Sequence, residues 1–508
     1  MNSTHSVTGS DGHTYEFVDN GSPMQGGMKD VYFSPDKSYV IAFFRNKQDN
    51  SAKDRLVTIC DTYRKRILEQ QGGEYWRNFF CWPIATCEFQ GRIGVVVPTY
   101  QDCFFFKKGY NREAESLASI VGKEKEGKWF ASAQFRNKKY KFHLDTTELG
   151  DWHKFFLICL KVSRAVRRLH AAGLAHSDLS YKNVLIDPVS GSAAIIDVDG
   201  LVVPGKFAPD VIGTPDFIAP EVLETRHLPI TDPARKLPNI HTDRHALAVM
   251  IYMYLLYRHP LRGGRVNSLD PQEDEELSMG SKALFIEHPT DRSNRPKIAQ
   301  VKPTHLPWAD VDKLPYTICG PYLSELFERA LIKGLHDVRE RPIAEEWERA
   351  LVKSIDLLQP CTNRMCELKW FVFDNTTDPR CPFCGTTSKA SIPVLNLYSK
   401  THKGSYSYEK HRIMVYSGQN LYPWHVNRNV FPNERLSPDQ RKPVADFHLH
   451  NGVWMLVNRS LDSLVDKDRD TLVPIGSAVE LQDGKKILLS QEDGGRLVTV
   501  QLVGQQAS

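Results

Sequence analysis

The sequence predicts a multidomain α+β chain: a small β lobe, a larger helical lobe, a short four-cysteine ribbon and a small antiparallel β sandwich. Three observations carry this. Short alternating apolar runs joined by turn residues fill the first hundred positions. Helix-period apolar patterns take over from about 150. After 359 come four clustered cysteines and then strands separated by Asp-Gly turns. A length of 508 residues leaves room for about three domains. With 41% hydrophobic and 25% charged residues, the chain is neither disordered nor collagen-like. The net charge of +4, spread over this length, gives no argument for a nucleic-acid partner. The polar N-terminal stretch lacks a secretory apolar core, and the longest apolar run, Ala246 to Tyr257, is too short to span a bilayer. A cytoplasmic protein without membrane contact is therefore expected.

The small lobe is placed at 12–100. Tyr15-Glu16-Phe17-Val18, Asp30-Val31-Tyr32-Phe33 and Tyr39 to Phe44 read as strands, with a turn at Ser34-Pro35-Asp36-Lys37. Leu56, Ile59, Cys60, Tyr63 and Ile67 share one side of a helix over 52–69, and strands follow at 84–89 and 92–97. The helical lobe is placed at 101–358. Phe155, Leu157, Ile158, Leu160, Val162, Val166 and Leu169 mark a long buried helix ending near Gly173. A second apolar helix covers 243–257, and two more lie within 322–357. Residues 262–315, rich in Pro, Asp and Glu, read as an irregular insertion. The ribbon is placed at 359–388 and the β domain at 394–504. In that last domain Gln482-Asp483-Gly484-Lys485 predicts a hairpin between 479–481 and 487–489. Asp493-Gly494-Gly495 predicts another before 497–500.

Chemistry concentrates in His176-Ser177-Asp178-Leu179-Ser180-Tyr181-Lys182-Asn183, followed by a strand and by Ile196-Asp197-Val198-Asp199-Gly200. A carboxylate that orients an attacking hydroxyl, and an Asn and an Asp that hold metal ions, are the groups phosphoryl transfer from a nucleotide needs. Gly213-Thr214-Pro215 to Ala219-Pro220-Glu221, then Asp243-Arg244-His245, then Arg341-Pro342 continue the order. Together these motifs resemble the eukaryotic-like protein kinase fold over roughly 12–358, a bilobal architecture. The resemblance implies ATP and Mg²⁺ or Mn²⁺ between the lobes, Ser/Thr-type transfer to protein hydroxyls, and a protein substrate. It makes Asp178 the catalytic base and Asn183 and Asp197 the metal ligands. His176, Glu221, Asp243 and Arg341 become structural braces.

Several positions depart from that pattern. Ser177 stands where the family has Arg before the base. Ser180 replaces a Lys that usually meets the γ-phosphate, and Lys182 is the nearest candidate to supply that charge. The Asp-Phe-Gly motif reads Asp197-Val198-Asp199, with Gly200 one place later. The strand Val40-Ile41-Ala42-Phe43-Phe44-Arg45 has no inward Lys, whether that position is Ala42 or Phe44. Gly26-Gly27-Met28-Lys29 instead carries a Lys inside the glycine-rich turn. This resembles the with-no-lysine kinases and implies that Lys29, with the amides of Gly26 and Gly27, meets the phosphates. Its acidic partner on the first helix is Asp61 or Glu69. A nucleotide-binding pseudokinase scaffold and an adaptor are the alternatives.

Cys361-x4-Cys366-x14-Cys381-Pro382-Phe383-Cys384-Gly385 spaces four thiolates for one structural Zn²⁺ in a zinc ribbon. Cys60, Cys81, Cys87, Cys103, Cys159 and Cys319 read as buried free thiols. The region from Phe447 to Ile487 loosely resembles a forkhead-associated sandwich that lacks the phosphothreonine-binding Ser and His, and so reads as a docking module. The stretch Met279 to Pro296, with the domain order, looks like the bacterial kinase-like proteins of tellurium-resistance and stress clusters. That likeness implies a von Willebrand A-type protein and a metal-dependent protein phosphatase as partners.

Overall fold

The computed structural model describes residues 3–25, 27–70, 72–113, 116–137, 142–203, 206–207, 213–400 and 404–504. Two compact units emerge. One comprises Met1–Gly150, Lys154–Tyr316 and Ser324–Arg349; the other comprises Asp151–His153, Thr317–Leu323 and Ala350–Ser508. Among the described residues no helix is long and apolar enough to cross a membrane.

In the first unit, five antiparallel strands form a sheet in the order Met24–Gln25, Lys29–Phe33, Tyr39–Phe44, Arg92–Pro98, Ala85–Phe89. Alternation sorts its two faces. Ile41, Phe43 and Val96 join Val7 and Phe17 of an N-terminal hairpin on one side. Ala42, Phe44, Ile93 and Val95 pack against Leu56 and Cys60 of the first helix on the other. Lys37 closes the turn by donating its N–H to Ser34 O at 3.0 Å. The helix predicted over 52–69 is α-helical at Asn50–Val57 and Arg64–Leu68, with a π-helical turn at Thr58–Tyr63 between. Trp82 Nε1 donates to the Ile59 carbonyl in that turn at 3.0 Å, a buried bond that meets one of its carbonyls.

The helical part is built on Trp152–Ala171 and Ile240–Leu256. The first contributes Phe155, Phe156, Ile158, Val162, Val166 and Leu169 to the core. From Ala246 to Leu256 the second is apolar on every side and wholly buried, the expected state of a segment without a polar face. An Asn239–Thr242 capping box fixes its start. The segment 262–315 holds one helix, Pro271–Met279, and otherwise short turns, in line with an irregular insertion. All six scattered cysteines are free thiols, but Cys81 and Cys103 are only half-buried.

In the second unit, six strands run in the order Tyr406–Met414, Ile392–Lys400, Arg496–Val503, Lys486–Leu488, Val465–Asp466, Thr471–Leu472. Four more run Asn420–Leu421, Ala445–His450, Val453–Asn458, Ala478–Glu480. Leu395, Leu397 and Val498 of the first sheet share one buried cluster with Phe447, Leu456 and Val479 of the second. One sequence expectation is corrected here. Asp483-Gly484 does turn, with Lys485 N–H donating to Gln482 O at 3.1 Å, yet it joins no hairpin. Ala478–Glu480 pairs with Val453–Asn458 in one sheet, and Lys486–Leu488 pairs with Arg496–Val503 in the other. A tight turn there passes the chain between layers. The turn at Asp493-Gly494-Gly495 does link two paired strands.

Candidate functional site

The central loop lies between the helix Trp152–Ala171 and the strand Val184–Asp187. That strand pairs with Ser192–Ile195, and Ile196 N–H donates to Asn183 O at 3.0 Å. The ladder therefore delivers Asn183 and Asp197 to the same end of one hairpin. Asp197 adopts left-handed φ 58°, ψ 34°, a conformation costly for most side chains and tolerated by Asp.

Asp178 is fixed by donors on both oxygens. Thr214 donates to Oδ1 through its backbone N–H at 2.6 Å and its Oγ at 2.8 Å. Asn183 Nδ2 donates to Oδ2 at 3.0 Å and to the Asp178 carbonyl at 2.8 Å. Ser180 Oγ lies 3.2 Å from Thr214 Oγ, both buried. Lys182 is exposed, and its backbone N–H donates to Ser180 Oγ at 3.3 Å.

Behind the loop, buried Asp243 accepts from His176 N–H at 2.8 Å and pairs with His170 Nε2 at 3.1 Å. His176 Nε2 lies 3.0 Å from Ile196 O, so the proton sits on Nε2 and ties the two loops together. Arg341, buried, makes a bidentate pair with Glu221 at 2.8 Å on each arm. Its Nε donates to Gly334 O at 2.6 Å.

Lys29 reaches this group from the second strand of the sheet. Its Nζ lies 2.5 Å from Asp199 Oδ2 and 3.2 Å from Asp197 Oδ1. Burial pulls the ammonium's pKa down, but Asp199 and Asp197 outweigh it and hold the group above its ordinary value. Lys29 in turn holds Asp197 below the usual carboxylate range. Burial leaves Asp199 above that range despite Lys29. The helix acids named from sequence are not its partners: Asp61 pairs with Lys65 at 2.5 Å and Glu69 with Arg64 at 2.7 Å. Gly27 is exposed and its carbonyl accepts from Arg45; Gly26 lies outside the described residues.

Sequence reasoning passed over two residues. Thr214 was present only as part of the Gly-Thr-Pro segment, and Asp199 only as a displaced glycine. A hydroxyl six residues before Pro220, and a second Asp two places after the first, were the available signals.

Asn183 donates through Nδ2, which leaves Oδ1 facing away from Asp178. That oxygen and the Asp197 carboxylate are hard donors of the kind Mg²⁺ takes, so the residues fit a divalent cation.

The four cysteines near 361–384 also converge. Their sulfurs all lie within 4.8 Å of one another, with Cys361–Cys384 at 3.5 Å and Cys366–Cys381 at 3.8 Å. A tetrahedral site with Zn–S of ~2.3 Å has sulfurs about 3.8 Å apart. The spacing fits a zinc ion and is far too long for disulfides.

Comparison with known proteins agrees with this geometry in the helical part. Residues 127–333 match the family model of the protein kinase domain, so the chain carries such a domain there. Calcium-dependent protein kinase 4 of Arabidopsis thaliana is 29% identical over 199 residues, 35% of this chain and 37% of that protein. Serine/threonine-protein kinase PkaB of Streptomyces coelicolor is 32% identical over 114 residues, 20% of this chain and 25% of its own. Death-associated protein kinase dapk-1 of Caenorhabditis elegans is 34% identical over 123 residues, 24% of this chain and 8% of its own. The chain thus spans well under half the length of these relatives. A rhoptry antigen kinase domain from Toxoplasma gondii superposes with a TM-score of 0.40 at 14% identity, covering 69% of this chain and 86% of that one.

Proposed function

We propose that the chain is a Ser/Thr-type protein kinase that transfers the γ-phosphoryl group of ATP to a protein hydroxyl. One observation carries the reading. The Asp178 carboxylate is held on both oxygens by Thr214 and Asn183, and among the described residues no cation is paired with it, which makes it a preorganised base. Asp178 orients the substrate hydroxyl and takes its proton as the new P–O bond forms. The bond from the γ-phosphorus to its bridging oxygen breaks, and ADP leaves with the electron pair. Lys29, charged and close to Asp197, balances the phosphate charge. Asn183 and Asp197 would hold Mg²⁺ or Mn²⁺, which supplies further charge neutralisation when bound.

The four cysteines support one structural zinc, since a closed four-sulfur set leaves no position for a substrate. The sandwich is proposed as a docking module. The von Willebrand A-type protein and the phosphatase stay as partners proposed from the resemblance alone. Incubation of the full chain with Mg²⁺ or Mn²⁺ and γ-labelled ATP, beside Asp178→Ala and Lys29→Ala, tests the reading. Label on the wild type that is lost in both variants is the expected result. Absence of label from the wild type, with a generic protein substrate present, would favour the nucleotide-binding scaffold.

A further inference from the structure

The surroundings of Lys29 leave one task unassigned. Lys29 stands directly across from Phe44 on the neighbouring strand, and its Nζ lies 5.0 Å from the centre of the Phe44 ring. Phe44 packs with Ala42, Leu56, Cys60, Ile93 and Val95, so the helix meets this face through Leu56 and Cys60. The two acids that the sequence offered as partners, Asp61 and Glu69, are engaged with Lys65 and Arg64. The buried carboxylate that meets Lys29 comes from the loop: Asp199, whose side chain is 6% exposed against 55% for Asp197.

Two carboxylates therefore bracket one ammonium, and they are not equivalent. Asp197 is open to solvent and, on the proposed function, is the one that turns to a divalent cation. Asp199 is enclosed and stays with Lys29. We propose that Asp199 is a positioning residue that holds the Lys29 ammonium toward the nucleotide phosphates, a task performed in most protein kinases by a helix glutamate. This rests on the kinase reading above and deepens it. Its consequence is that the charge pair is built between a strand and the metal-binding loop, so it does not depend on where the first helix sits.

The test is equilibrium binding of Mg·ATP and of adenosine to the full chain, by calorimetry, for wild type, Asp199→Asn, Lys29→Met and the double variant. A lost charge-assisted contact to the phosphates should weaken Mg·ATP roughly 10- to 100-fold. Adenosine, which has no phosphate, should bind all four proteins alike. The double variant should be no weaker than either single one, because both remove the same interaction. Wild-type affinity for Mg·ATP in Asp199→Asn would overturn the proposal. An equal loss of Mg·ATP and adenosine would also overturn it, by reducing Asp199 to a support for the fold. If the wild type itself binds neither ligand, the nucleotide reading falls first and takes this inference with it.

Discussion

Replacing Arg341 with Leu isolates one brace of the domain. The guanidinium is 1% exposed and makes five hydrogen bonds: two to Glu221, and one each to the carbonyls of Gly334, Leu335 and His241. Leucine fills part of the volume but leaves a carboxylate and three carbonyls without their donor. Breaking a buried ion pair from one side costs about 3–5 kcal/mol. Glu221 retains some water, with 22% of its side chain exposed, so the low end of that range applies. A loss of about 3 kcal/mol corresponds to roughly a 150-fold rise in the open population. Native-state hydrogen exchange at the amides of Ile240–Leu256 reads this directly, since that buried helix exchanges only when the surrounding structure opens. An acceleration of about 100-fold is expected, with a smaller one for Glu221→Gln, which keeps an acceptor. An acceleration below about tenfold for Arg341→Leu would refute the assignment of the pair as a principal brace.

Thr214→Val removes one hydroxyl bond to Asp178 and keeps shape; on the proposed function it should lower kcat about 10- to 100-fold at unchanged KM for ATP, read by steady-state phosphoryl transfer. Cys381→Ser should abolish a stoichiometric zinc signal in elemental analysis and loosen the second unit, while Mg·ATP binding persists. His259 is buried, which holds its pKa down to about 4 against the pull of Asp216. Below pH 6.5 the unfolded chain gains a proton that the folded one refuses. Stability is therefore full above 6.5 and falls toward pH 4, by up to about 3 kcal/mol from this group. Urea midpoints of wild type and His259→Asn across that window should converge as the pH drops.

The local parts of the fold were legible because periodicity is local. The strands Lys29–Phe33 and Tyr39–Phe44 and the helix Ile240–Leu256 lie where alternation and unbroken apolarity put them. Spacing around one hairpin likewise put Asn183 within hydrogen-bond reach of Asp178, and Asn183 and Asp197 at the same end of that hairpin. Contacts between distant segments were not legible that way. Thr214 meets Asp178 across 36 positions and Lys29 meets Asp199 across 170. No pattern within a window reports either. Asp61 and Glu69 were plausible counter-ions for Lys29 by charge alone, yet neighbours on their own helix satisfied them first. Asp483-Gly484 shows a different limit. The residues that close a hairpin also close a crossing between sheets, and only the pairing of the flanking strands tells the two apart.

The cysteine cluster does not have a core of its own. Cys366 and Cys381 are buried with Phe371 and Phe373 against Ile392, Val394, Met414 and Val503, which belong to the six-stranded sheet. If the proposed zinc is bound, its loss would strip two thiolates of their charge partner inside the same apolar cluster that packs on that sheet. On the proposed zinc site, the state of four sulfurs would set how firmly the first and last strands of the sandwich hold each other, and removal of zinc or oxidation of the thiols would loosen that end of the sheet. Cutting the chain between 388 and 394 would divide a single hydrophobic body and leave a raw face on each piece.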